Sequence, residues 1–103
     1  MEKKVKTYRN VDIKTIRMGA PGENHKHLRA LVETEDEFLV FQEATIAALV
    51  RAYISVKNHP QKAAVLMAGE YAENLKPGFA RWQLLERDEV DQGIIEMMSE
   101  IME

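Results

Sequence analysis

Residues 27–57 read HLRALVETEDEFLVFQEATIAALVRAYISVK, and this stretch decides the fold. His27–Glu33 and Glu37–Phe41 are two apolar runs rich in strand-forming side chains. Thr34-Glu35-Asp36 between them is a turn. A parallel crossover needs a dozen residues or more, so a connection this short makes the two strands antiparallel. From Gln42 the period changes. Between Ala44 and Val56 the only charge is Arg51. At the helical spacing, Ile46, Leu49, Val50, Tyr53, Ile54 and Val56 fall in an arc of about 160°. Ala44, Ala48, Ala52 and Ser55 occupy the opposite side. Gln42–Lys57 is therefore expected as a helix at the centre of the core. Leu49→Ala or Ile54→Ala should then cost about 2–5 kcal/mol.

On the N-terminal side, Val5–Met18 reads as a further strand. Its alternation runs Val5, Thr7, Arg9, Val11, Ile13 and then shifts phase to Ile16 and Met18, which points to a bulge near Lys14–Thr15. Gly19-Ala20-Pro21-Gly22-Glu23-Asn24 is a loop. On the C-terminal side, Asn58-His59-Pro60 ends the central helix. Gln61–Leu75 is expected as a second helix, with Ala64, Met67, Ala68, Tyr71 and Leu75 on one face, and Lys76-Pro77-Gly78 stops it. Residues 79–87 fit two patterns. Ala80, Trp82 and Leu84 alternate as in a strand, while Phe79, Trp82 and Leu85 are spaced as in a helix. Helix-forming residue types favour the helix. Asp88 reads as the N-cap of a last helix that runs to about Met102. The expected fold is α+β: a three-stranded antiparallel sheet in a meander, followed by helices packed on one face, as a single domain spanning residues 1–103.

Composition narrows the function classes. With 46% apolar and 30% charged residues the chain is globular rather than disordered. It has no cysteine, which excludes a disulfide scaffold, a thiolate zinc site and a cysteine nucleophile. The longest apolar stretch, Ala44–Val56, is interrupted by Thr45, Arg51 and Ser55 and is too short to cross a bilayer. The charged N-terminus lacks the apolar segment of a secretory signal. The expected location is the cytoplasm, with no membrane partner.

The net charge of −3 conceals a polarity. Lys3, Lys4, Lys6, Arg9, Lys14 and Arg17 crowd the first 17 residues, and residues 86–103 hold Glu86, Asp88, Glu89, Asp91, Glu96, Glu100 and Glu103. A basic strand of this kind is one way to bind nucleic acid. The acidic balance of the whole chain makes attraction between its two ends, within a chain or between subunits, the favoured reading.

Catalytic equipment is sparse. Ser55 and Ser99 sit inside expected helices with no histidine at helical spacing. Gly19-Ala20-Pro21-Gly22 has the spacing of a nucleic-acid clamp, but Pro21 removes a donor and a strand follows. The one metal candidate is His25-Lys26-His27. Residues two apart on a strand share a side, so both imidazoles could hold one divalent metal, with Glu23, Asp36 or His59 as a third ligand. The same pair could act as a general base. The last helix carries a different signal. Val90, Ile94, Ile95, Met97, Met98, Ile101 and Met102 cover about 160° of it. Flexible methionines suit a surface that accepts a partner. The expected function is a small non-catalytic binding or protein-interaction module that self-associates through Ile94, Met97, Met98 and Met102. The alternative is a metal-dependent or histidine-based enzyme centred on His25 and His27, and the third is nucleic-acid binding through the N-terminal strand.

Overall fold

The computed structural model describes residues 3–24, 26–73, 77–78 and 80–102. His25, Leu75, Lys76, Phe79 and Glu103, which enter the reading above, lie outside the described residues. The described elements are α+β. They fall into two compact units, built from Met1–Ile46 and from Ala47–Ile101.

In the first unit, strands β1 (Thr15–Gly19), β2 (Arg29–Glu33) and β3 (Phe38–Gln42) form an antiparallel sheet in the order β1-β2-β3, the expected meander. The turn at residues 34–37 is fixed by Thr34. Its N–H donates to the Glu37 carbonyl at 2.9 Å, and its hydroxyl accepts from the Glu37 N–H at 3.1 Å. These bonds let Thr34 be buried at no cost in unpaired polar groups. The register aligns Ile16 with Val32 and Leu39, and Met18 with Ala30 and Phe41, so these six share a face. Arg17, Leu31 and Val40 share the other, together with Thr15, Glu33 and Phe38.

The N-terminal stretch departs from the expectation of one continuous strand. A 3-10 turn occupies Asn10–Asp12, and β1 starts only at Thr15. The cause is Asp12. Its carboxylate accepts from the Arg9 N–H at 2.9 Å and from the Arg9 guanidinium at 3.1 Å through both oxygens. Such local bonds compete with a sheet ladder. The phase shift at Lys14–Thr15 marks where the strand begins, not a bulge.

Helix α1 (Glu43–Asn58) follows β3 directly, within a residue of its expected span. In the second unit, β4 (Leu66–Tyr71) and β5 (Trp82–Arg87) form a two-stranded antiparallel sheet, and α2 (Asp91–Met102) ends the chain. Two expectations are overturned here. Within the expected second helix Leu66–Tyr71 is a strand, and Trp82–Arg87 follows the strand-like alternation rather than the helical spacing. Helix propensity is a weak prior that long-range pairing overrides. Here Gly69 weakens any helix, and it is the position that the pairing uses. A Cβ at Gly69 would lie 2.5–2.7 Å from the indole of Trp82, so the bare backbone is what lets that ring lie across β4. Tyr71, directly opposite Trp82, meets the same ring edge-on at a centroid distance of 5.5 Å.

The covered side of α1 departs from the expectation for most of the apolar arc. Leu49, Val50, Tyr53 and Ile54 are exposed and Ile46 and Val56 half-buried, while on the opposite side Ala48 is buried, Ala52 and Ser55 are half-buried and Ala44 is exposed. Arg51 ties the helix to β5 by donating to the Leu84 carbonyl at 3.3 Å. Periodicity reveals a face that must be covered, but it does not say what covers it. Among the described residues, the buried apolar side chains are Ala30, Ala48, Ala64 and Ile94.

Candidate functional site

Of the histidine pair, His25 lies outside the described residues, and His27 lies near the start of α1. His27 precedes β2, and its Nδ1 lies 3.3 Å from Glu43 Oε2. Glu43 is the first residue of α1, where an acid is favoured by the helix dipole. Its other oxygen accepts the Leu28 N–H at 3.1 Å. That backbone bond, and then His27, hold the Glu43 carboxyl below its ordinary value. Of the third ligands considered, Asp36 sits beyond the far end of β2, a five-residue strand of roughly 16 Å. Among the described residues, no three potential ligands gather at one point. Glu43 is the group that sequence reasoning missed. Its signal was an acid at the junction of a strand and a helix.

Four of the six N-terminal cations are engaged by acids of their own unit. Lys6 pairs with Glu37, Arg9 with Asp12 at 3.1 Å, Lys14 with Glu35 at 2.9 Å and Arg17 with Glu33 at 3.9 Å. Glu37 also accepts from the Tyr8 hydroxyl at 3.1 Å. Hydrogen bonding to Arg9 lowers the Asp12 carboxyl and raises the guanidinium, and Glu35 raises Lys14. An open hollow of about 400 Å³ lies among Lys6, Tyr8, Asp12, Lys14, Thr34 and Glu35. Its charged lining is largely those same pairs.

The stronger feature is apolar. The start of α2 is anchored: Asp91 Oδ2 accepts the Ala63 N–H at 2.7 Å, and Lys62 pairs with Glu86 at 2.9 Å just before it. Ile94 is buried and Ile95 half-buried in this first part. Beyond them the same band opens to solvent, with Met97 63%, Met98 49%, Ile101 46% and Met102 65% exposed. Ile94 is therefore an anchor of the helix rather than part of its outer surface. The three methionines named with it are on that surface. Charged and polar residues line the other side, where Gln92 donates to Glu96 at 3.2 Å. On α1, Leu49 is 58%, Val50 49%, Tyr53 64% and Ile54 47% exposed. Both helices thus present large apolar side chains at positions where a helix facing water carries charge.

No helix among the described residues is long and apolar enough to cross a membrane. No family model, no curated protein and no solved structure matches this chain.

Proposed function

We propose that this chain is a non-catalytic protein-interaction module that self-associates through the outer surface of α2. The observation that carries this reading is the exposure of Met97, Met98, Ile101 and Met102 in one band, continuous with a buried Ile94. Contiguous apolar patches beyond a few hundred Å² are rare on monomers. Methionine side chains adapt to a partner's shape and are over-used at binding surfaces. Homodimer interfaces resemble a core cut in two, which is what a helix anchored at one end and bare at the other provides. The lack of cysteine fits a reducing compartment such as the cytoplasm.

The test is Met98→Glu combined with Met102→Glu. Both side chains point outward, so the double variant should keep its circular dichroism and sediment as a smaller species than the parent. Unchanged sedimentation would remove α2 from the interface.

A second reading, histidine chemistry, has one observation behind it: the carboxylate of Glu43 against Nδ1 of His27. A carboxylate in that place orients an imidazole for metal or proton transfer. It requires zinc or nickel to raise the melting temperature, and His27→Ala to abolish the rise. No shift with either metal would eliminate the metal form of this reading.

A further inference from the structure

We draw no further inference here: the strongest candidate, the exposed aromatic corner that Tyr71 and Trp82 form on the β4–β5 sheet, is accounted for by its own cross-strand packing over Gly69, and nothing in the structure shows what covers it.

Discussion

Gly69 and Trp82 show how one residue without a side chain can decide an element. The indole lies where a Cβ at Gly69 would be, and Tyr71 closes on its edge. Gly69→Ala should therefore push the ring off β4. Removing a glycine from a strand is favourable by about 0.5–1 kcal/mol, but forcing a packed group aside costs about 1–3 kcal/mol. The net expectation is a loss of about 1 kcal/mol in denaturant melts. Trp82 is the chain's only tryptophan, so its emission reports the ring directly and should shift to the red. An unchanged spectrum with unchanged stability would mean that the ring does not rest on Gly69.

At the scale of elements, the sheet of the first unit was legible. Thr34-Glu35-Asp36 announces its turn, and the runs on either side have strand composition. Helix α1 was legible too, because sixteen residues of unbroken period leave little alternative. What could not be read is equally specific. β4 exists because β5 pairs with it, and the Pro77-Gly78 signal between them reads equally well as the stop of a helix. The Asn10–Asp12 turn rests on one carboxylate reaching back to Arg9, which a period analysis does not see. Of the candidate site, the band on α2 was visible in the sequence, apart from the inward placement of Ile94. His27 was visible as well, but its partner Glu43 was not.

That partner gives a prediction at the start of α1. The Glu43 carboxyl lies below its ordinary value of 4.5, so its bonds stabilise the fold above that value and are lost as the pH falls through the lower, folded-state value. Glu43→Gln should remove this part of the acid dependence and make the melting temperature flatter below about pH 4.5, with little change in slope near neutrality. Parallel acid limbs in the parent and the variant would show that Glu43 does not make these bonds in solution.

For the whole molecule, the account turns on surface. The two helices show large apolar side chains to solvent, while among the described residues the buried apolar side chains are three alanines and one isoleucine. Sequence and structure diverge most at this point. The arc of α1 reads as the centre of a core, whereas Leu49, Val50, Tyr53 and Ile54 are exposed and Ile46 and Val56 half-buried. The most direct measurement is sedimentation velocity of the unmodified chain at micromolar concentration, run beside circular dichroism on the same samples. A dimer or larger species is the predicted result. A stably folded monomer at every concentration would contradict the account.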